Sequence, residues 1–256
     1  MTVIDAFVGK GGVGKTSIAS TYALLCAERG KTALASTDMM PSLSYIFKAK
    51  EKNLTIYEIK EDEIAREWIA RYGREVREIA ANFFDSTGGL LEHIAHAPGI
   101  AEEFMISKIV EVEESGKFDF VIWDTPASSS TMHLLLLENQ FYSHLSSDIK
   151  FYLKLKDAFK VSKVLDILEE WKNLASHTWD KVRKSNFYVV KTEDELSTIQ
   201  AAQIKKELGK MGIKVRNEIT NRAKKNRAGI CIPELEGDAR DIVDQMKPYI
   251  RQLLKY

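Results

Sequence analysis

The chain has 256 residues, and its 37 lysine and arginine side chains balance its 37 aspartate and glutamate side chains. Hydrophobic residues make up 45% of the sequence and charged residues 29%, which is typical of a folded globular protein and excludes a disordered one. The zero formal net charge removes any general attraction to nucleic acid or anionic lipid, so we expect no nucleic-acid partner.

The sequence also disfavours membrane-spanning and secreted classes of protein. It has no run of 18 apolar residues, so we expect no direct membrane span. The first residues lack the basic and apolar regions of a secretory signal. Its two cysteines, Cys26 and Cys231, lie far apart and predict neither a disulfide framework nor a cysteine-based zinc site. A cytoplasmic location is the resulting expectation.

Short apolar runs alternate with longer helical patterns along the chain, as in an α/β protein with a mainly parallel sheet. The predicted strands are 3–8, 32–37, 54–59 (as an edge strand), 118–123, 187–190, 213–219 and 228–232. The predicted helices are 17–28, 62–84, 99–114, 193–211 and 238–255, the last interrupted at Pro248. Residues 134–185 show helical periodicity and no strand pattern. We therefore predict one doubly wound domain over 1–256, in which 134–185 form an embedded helical subdomain.

A glycine-rich segment between the first strand and the first helix matches G-x-x-x-x-G-K-[ST], the P-loop of nucleoside triphosphate-binding proteins. Glycines let successive backbone N–H groups face phosphates, and the following helix N-terminus favours negative charge. In this pattern Lys15 reaches the β- and γ-phosphates, and the hydroxyl of Thr16 binds Mg²⁺. The predicted nucleotide-binding residues here are Gly9, Lys10, Gly11, Gly12, Val13, Gly14, Lys15, Thr16 and Ser17.

The same segment also fits a dinucleotide fingerprint, G-x-G-x-x-G, through Gly9, Gly11 and Gly14. A nicotinamide or flavin enzyme is therefore an alternative. A dinucleotide site has no need of a lysine and a hydroxyl at positions 15 and 16, so the P-loop interpretation is favoured.

Two aspartates follow predicted strands, where ligands of open α/β sheets bind. Asp124 ends the apolar strand FDFVIW, which is the Walker-B arrangement, and its carboxylate is a candidate Mg²⁺ ligand. Asp38 follows the second strand and is a candidate to orient or deprotonate the attacking water. The alternative for either residue is a helix-cap or turn aspartate.

The loop reads K-G-G-V-G-K-T, with a second lysine at position 10, and resembles the deviant P-loop of the ArsA family of ATPases. Residues 36–47 are similar to that family's switch I, and 53–59 to its N-L-x-x-x-E-I-D strand. Residues 98–103 and 118–125 resemble its P-G-I-x-E and F-D…D-T motifs. Asn221-Arg222 resembles its adenine-contacting N-R pair, and residues 232–235 resemble its last nucleotide loop.

The resemblance implies an ATPase that binds ATP and Mg²⁺ and works as a homodimer. It implies that Lys10 acts on the nucleotide of the partner subunit, a role like that of an arginine finger. It also implies that Asn221, Arg222 and Pro233 line the adenine site.

Departures from the family pattern separate this chain from several branches. Switch II has no glycine-histidine pair, and switch I has Met39, Met40 and Pro41 where the family has proline, alanine and histidine. Both changes are expected to slow hydrolysis. The chain also lacks the zinc-binding CxxC of the targeting branch and the cysteine triad of the arsenite-pump branch. Activation by metalloids is therefore not expected.

The output of the ATPase has three interpretations. The first is targeting or chaperoning of an apolar client, such as a tail-anchored membrane protein, in a groove built with residues 134–185; the alternative for this segment is ordinary helix packing. The second is an ATPase subunit that drives or regulates a membrane transport or metal-handling partner. The third is a switch that binds ATP with little turnover.

Overall fold

One parallel sheet organises the part of the chain that the computed structural model describes, namely residues 2–38, 42–80, 100–126, 158–224 and 229–255. Its strands are β1 (Ile4–Val8), β2 (Thr32–Ser36), β3 (Leu54–Glu58), β4 (Phe120–Asp124), β5 (Asn186–Thr192), β6 (Val215–Asn221) and β7 (Ile230–Cys231). The strand order is β3-β2-β4-β1-β5-β6-β7, and every pair is parallel. This confirms the predicted doubly wound α/β fold, with β3 at an edge as expected.

The helices largely follow the predicted pattern. They are α1 (Lys15–Ala27), α2 (Leu43–Ile46), α3 (Glu61–Ala80), α4 (Ile100–Glu114), α5 (Ala158–Lys184), α6 (Glu195–Lys210) and α7 (Ala239–Ile250), with a 3₁₀ turn at Arg251–Lys255. The single turn α2 was not predicted, because its two buried side chains, Leu43 and Ile46, are too few to show a period. The predicted interruption at Pro248 is wrong, since α7 runs past it to Ile250.

The burial of the central strands explains why their sequences are mostly apolar and do not alternate. All five residues of β1 and of β2 are buried, as expected for strands covered on both faces. Helix α1 is buried along most of its surface because it contacts both the sheet and α7. It begins directly after Gly14, whose left-handed φ of 92° turns the chain from the loop into the helix.

The chain divides into two compact units. The sheet unit comprises Met1–Ile59, Ile109–Ser129 and Val182–Tyr256, and the helical unit comprises Lys60–Lys108 and Ser130–Lys181. Predicted helical residues 134–157 lie outside the described part of the chain, so the embedded subdomain at 134–185 stays a prediction. No helix among the described residues is long and apolar enough to cross a membrane.

An aromatic cluster fills the described part of the helical unit. The ring centroid of Trp171 lies 5.6 Å from that of Trp68 and 5.5 Å from that of Tyr72. Tyr72 also meets Phe104 edge to face at 5.9 Å, and its hydroxyl donates to the Glu170 carboxylate at 3.2 Å. Trp171 belonged to the apolar stripe predicted for residues 134–185. Its packing inside the unit favours ordinary helix packing for that end of the stripe.

Candidate functional site

Three strand ends meet at the carboxyl edge of the sheet and carry the predicted catalytic groups. The P-loop follows β1, Asp38 lies two residues beyond β2, and Asp124 is the last residue of β4. Strand β4 lies between β1 and β2, and the parallel register sets Ser36 opposite Asp124. The fold therefore gathers side chains that are more than 80 positions apart in the sequence.

Close backbone approaches explain why the loop needs glycine at two positions. A Cβ on Gly9 would lie 2.2 Å from the carbonyl oxygen of Val190, so no side chain fits there. A Cβ on Gly14 would lie 2.4 Å from Nδ2 of Asn221. The outer part of the loop, at Gly11 and Gly12, is exposed. Phosphate oxygens thus have access to the backbone N–H groups from that side.

Lys15 is held inside the loop rather than in solvent. Its residue is 5% exposed, and its Nζ donates to the carbonyl oxygen of Lys10 at 3.3 Å. Burial lowers the pKa of Lys15, while the charges of Asp124 and Asp38 act in the opposite direction. A buried ammonium between acidic groups at a glycine loop has the chemistry needed to bind a triphosphate.

Asp124 is fully buried, and the described residues donate hydrogen bonds to one of its carboxylate oxygens. Oδ2 accepts hydrogen bonds from the hydroxyls of Thr16 at 2.8 Å and Ser36 at 3.1 Å. Oδ1 is buried and has no hydrogen-bond partner among the described residues. Burial raises the pKa of Asp124 to about 6, against the lowering effects of the two hydroxyls and of Lys15. A half-satisfied carboxylate beside a hydroxyl suits Mg²⁺, which binds oxygen ligands.

Magnesium at a P-loop needs few protein ligands, since phosphates and water supply the rest. Among the described residues, no group of three or more His, Cys, Asp and Glu side chains could hold a metal ion by itself. Cys26 is fully buried, and burial raises the pKa of its thiol to about 12. A buried thiol with such a pKa is inert toward metals near neutral pH.

Asp38 lies at the same edge, partly exposed. Its backbone N–H donates to the Ser36 hydroxyl at 3.3 Å. The charge of Asp38 acts on both Lys15 and Asp124, so its carboxylate lies near both groups. The predicted switch I residues that follow, at positions 39–41, lie outside the described residues.

Asn221 joins the end of β6 to the P-loop. It is 3% exposed, its Nδ2 donates to the carbonyl oxygen of Val13 at 2.9 Å, and its Oδ1 accepts from the backbone N–H of Arg222 at 3.0 Å. The adjoining Ala223 N–H donates to the carbonyl oxygen of Ile232 at 2.8 Å, which brings the loop of Pro233 alongside. The three predicted adenine residues are therefore neighbours. The bond to the P-loop was not foreseen from the sequence.

Lys10 is half-buried and lies near Asp194, the N-cap residue of α6. The positive charge of Lys10 contributes to lowering the pKa of Asp194, behind the bonds from Thr192 and Ser197. The predicted action of Lys10 on a partner subunit remains a prediction.

Sequence reasoning also missed three buried residues that connect strand ends. Ser36 links Asp124 to Asp38, and the indole N–H of Trp123 donates to the Thr37 hydroxyl at 3.0 Å. Ser36 and Thr37 begin the segment that resembles switch I, and Trp123 lies in the Walker-B strand, but the motifs predict no hydrogen bonds between these residues. Their roles depend on the register of two strands separated by 83 residues or more, which a single sequence does not reveal.

Comparison with known proteins decides the family. The family model of the anion-transporting ATPases of the ArsA type matches residues 1–231. The chain belongs to this family. Both the resemblance stated from the motifs and the prediction of an ATPase are thereby confirmed.

Individual relatives carry two kinds of name. A protein of Aquifex aeolicus named "Putative arsenical pump-driving ATPase 2" is 28% identical over 238 residues, covering 84% of this chain and 78% of the relative. A protein of Prosthecochloris vibrioformis with the same name but no numeral is 26% identical, covering 86% and 60%. "ATPase GET3C" of Arabidopsis thaliana is 26% identical over 275 residues, covering 91% and 68%. This ArsA-family ATPase thus spans 60% to 78% of these relatives' lengths.

Proposed function

We propose that this chain binds ATP with Mg²⁺ at the carboxyl edge of its sheet, hydrolyses it, and works as a nucleotide-gated homodimer. The observation that carries the proposal is the carboxylate of Asp124. It is fully buried, bonded to the P-loop hydroxyl of Thr16 through one oxygen, and left with the other oxygen unpartnered among the described residues. Such an arrangement is costly in a folded protein unless a ligand completes it.

Each residue has a place in the proposed mechanism. The loop N–H groups and Lys15 hold the triphosphate, and Thr16 and Asp124 hold the magnesium ion. Bound Mg²⁺ would neutralise negative charge that develops on the phosphates. Asp38 orients the attacking water and accepts its proton, and Asn221, Arg222 and Pro233 surround the adenine. Lys10 adds positive charge from the partner subunit.

Lys15→Ala tests the nucleotide site. We expect it to abolish ATP binding measured by calorimetry, because the buried ammonium at the loop is removed. Lys31→Ala is the control, since it removes an exposed lysine ahead of β2. Wild-type ATP affinity in Lys15→Ala would refute the site.

Lys10→Ala tests the dimer mechanism separately. We expect ATP binding to persist, while hydrolysis or ATP-driven dimerisation, followed by light scattering, is lost. Full activity in this variant contradicts a role for Lys10 across the dimer.

The proposed output is targeting or chaperoning of an apolar, tail-anchored client. It is supported by family membership and by the relative named ATPase GET3C. A transmembrane peptide should be captured by the protein with ATP, and binding of an apolar dye should rise when ATP is added. Dye binding that does not depend on nucleotide counts against a client groove.

An alternative is suggested by the relatives named for arsenical pumps, namely an ATPase subunit acting on a membrane or metal-handling partner. The chain has only two cysteines, of which Cys26 is fully buried, so no cysteine triad for metalloids can form. This version therefore predicts an ATPase rate that antimonite does not change. A rate near zero would instead favour a switch with little turnover.

A further inference from the structure

A single buried hydroxyl lies between the two acidic residues of the site. Ser36 Oγ donates to Oδ2 of Asp124 at 3.1 Å and accepts from the backbone N–H of Asp38 at 3.3 Å. Ser36 is 4% exposed, so water does not replace either bond readily. The result is a directed chain of hydrogen bonds, from the Asp38 N–H through the Ser36 hydroxyl to the Asp124 carboxylate.

The parallel register fixes this arrangement. Ser36 is the last residue of β2 and is paired with Asp124, the last residue of β4. A side chain at position 36 therefore points along the same face as the carboxylate. The short hydroxyl side chain of Ser36 reaches Oδ2 and leaves its oxygen near the N–H two residues later, in the manner of a serine turn.

Two further bonds hold the same strand ends together without Ser36. The backbone N–H of Thr37 donates to the carbonyl oxygen of Asp124 at 3.3 Å, and Trp123 Nε1 donates to the Thr37 hydroxyl at 3.0 Å. Thr37 and Trp123 are both buried. The position of the backbone is thus secured independently, and the Ser36 hydroxyl is left to connect the side chain of Asp124 with the start of switch I.

We propose that Ser36 is a positioning residue, which couples the backbone position of Asp38 to the hydrogen bonding of the Asp124 carboxylate. The inference rests on the proposed function for its effect on hydrolysis, since Asp38 and Asp124 have their roles only there. In a hydrogen-bond chain, a change in the terminal acceptor alters the donors behind it. A change in the Asp124 carboxylate can therefore reach the backbone N–H of Asp38 through the Ser36 hydroxyl.

The hydroxyl of Thr16 shares the same carboxylate oxygen with Ser36. Thr16 and Ser36 thus both donate to Oδ2, while Oδ1 receives no donor among the described residues. A rearrangement at the P-loop end of this pair changes the strength of the bond at the switch I end. This gives the site a short route from the P-loop to Asp38.

The test combines Ser36→Ala with Asp124→Asn in nucleotide-free protein labelled with ¹⁵N. Asp124→Asn replaces a charged acceptor by a neutral one, so we expect a clear shift of the Asp38 amide resonance. In the Ser36→Ala background, Asp124→Asn should shift the Asp38 amide resonance by less than about half of the shift that it causes in the wild-type background. The reason is that the connecting hydroxyl is missing. Equal shifts in the two backgrounds would overturn the proposal.

Kinetics supply the second readout. Ser36→Ala should lower kcat by about 10- to 100-fold, as expected for a misplaced catalytic group, with the Kd for nucleotide within about 2-fold of wild type. Ser20→Ala is the matched control, since Ser20 is a fully buried serine whose hydroxyl has no hydrogen-bond partner among the described residues. An unchanged kcat in Ser36→Ala, or an equal loss of affinity and kcat, contradicts a positioning role.

The two readouts separate failure of this inference from failure of the proposed function. The resonance experiment needs neither nucleotide nor metal. If the wild-type protein bound no ATP, the proposed function would fail, yet the amide shifts would still decide whether Ser36 connects Asp124 to Asp38.

Discussion

Two buried aspartates lie toward opposite strand ends of the same sheet and differ in how many of their carboxylate oxygens accept hydrogen bonds. Asp5, near the amino end of β1, accepts from Asn186 at 2.8 Å and Tyr188 at 3.4 Å on Oδ1, and from Tyr22 at 3.1 Å on Oδ2. Asp124, at the carboxyl end of β4, accepts on Oδ2, and its Oδ1 has no hydrogen-bond partner in the part of the chain that the structure describes. Burial raises the pKa of both carboxyl groups.

The number of hydrogen bonds to each carboxylate oxygen distinguishes a carboxylate that stabilises the fold from one that is available to a ligand. Asp5 bonds to the hydroxyls of Tyr22 and Tyr188. In the core, the Tyr188 ring stacks with Phe7, and the Tyr22 ring lies tilted against Phe7. Both carboxylate oxygens of Asp5 accept hydrogen bonds from side chains of the fold, so they need no ligand. The Oδ1 oxygen of Asp124 is buried near Lys15 and the P-loop and has no hydrogen-bond partner among the described residues. A cation bound there would be a partner for this oxygen.

Neutralising each aspartate in turn should separate their roles most strongly. Asp124→Asn should lower kcat by about 100-fold or more, because the proposed metal ligand and its charge are lost. Asp5→Asn should leave kcat within about 2-fold but lower the free energy of unfolding by about 1–3 kcal/mol, because an amide mismatches the surrounding donors. Steady-state ATPase rates and urea unfolding measure the two effects. Similar losses of activity in both variants would erase the distinction.

The pH dependence should have opposite signs for stability and for activity. The native Asp124 carboxyl, with its pKa raised to about 6, binds a proton more tightly than the unfolded chain does. The free energy of unfolding of the nucleotide-free protein should therefore fall as pH rises from about 4 to about 6, by up to about 3 kcal/mol from this group.

Activity should instead fall as pH drops through about 6, because a protonated carboxyl does not bind Mg²⁺. Urea unfolding and kcat/KM measured over pH 4–8 check both trends. Asp124→Asn supplies the comparison, since its unfolding free energy should lose this part of the pH dependence. A pH profile of stability that is identical in the two proteins would show that Asp124 does not titrate in this range.

Asn221 extends the comparison to the P-loop itself. Asn221→Ala removes the bond to the Val13 carbonyl oxygen, so the loop should be less well ordered and the Kd for ATP should rise about 10-fold. Asn217→Ala, in the same strand β6 but only half-buried, is the control. Calorimetric titration with ATP measures the change, and an unchanged Kd in Asn221→Ala would mean that this bond does not matter to the loop.

The smallest effect is expected at the amino edge. Tyr22→Phe deletes one of the three donors to Asp5 and keeps the ring in the core. We expect the free energy of unfolding to fall by about 1 kcal/mol, with no change in ATPase rate. Thermal and urea unfolding measure the loss. An altered ATPase rate would show that the two edges of the sheet are coupled.

The sequence was sufficient to predict what depends on local pattern. Buried strands read as apolar runs, and the P-loop carries its own signature, so residues 9–17 and the strand-end aspartates could be named. The helix α2 and the continuation of α7 past Pro248 escaped prediction, because short turns and tolerated prolines leave no periodic signal. Predictions on residues 127–157 fall outside the described part of the chain.

Contacts between distant residues could not be predicted from one sequence. Asn221 reaches Val13, and Ser36 reaches Asp124, only because the strand order places β2, β4, β1 and β6 as it does. The resemblance to the ArsA family indicated that Asn221 belongs to the nucleotide site. It did not indicate that the same amide would hold the P-loop in place.

We expect Asp124 to complete a divalent-cation site with the P-loop when nucleotide is bound. Electron paramagnetic resonance with Mn²⁺ as the probe, in the presence of ADP, tests it most directly by counting bound ions. We predict about one Mn²⁺ for each wild-type chain and each Asp5→Asn chain, and strongly weakened binding in Asp124→Asn. Wild-type Mn²⁺ affinity in Asp124→Asn would show that the Asp124 carboxylate does not bind the ion.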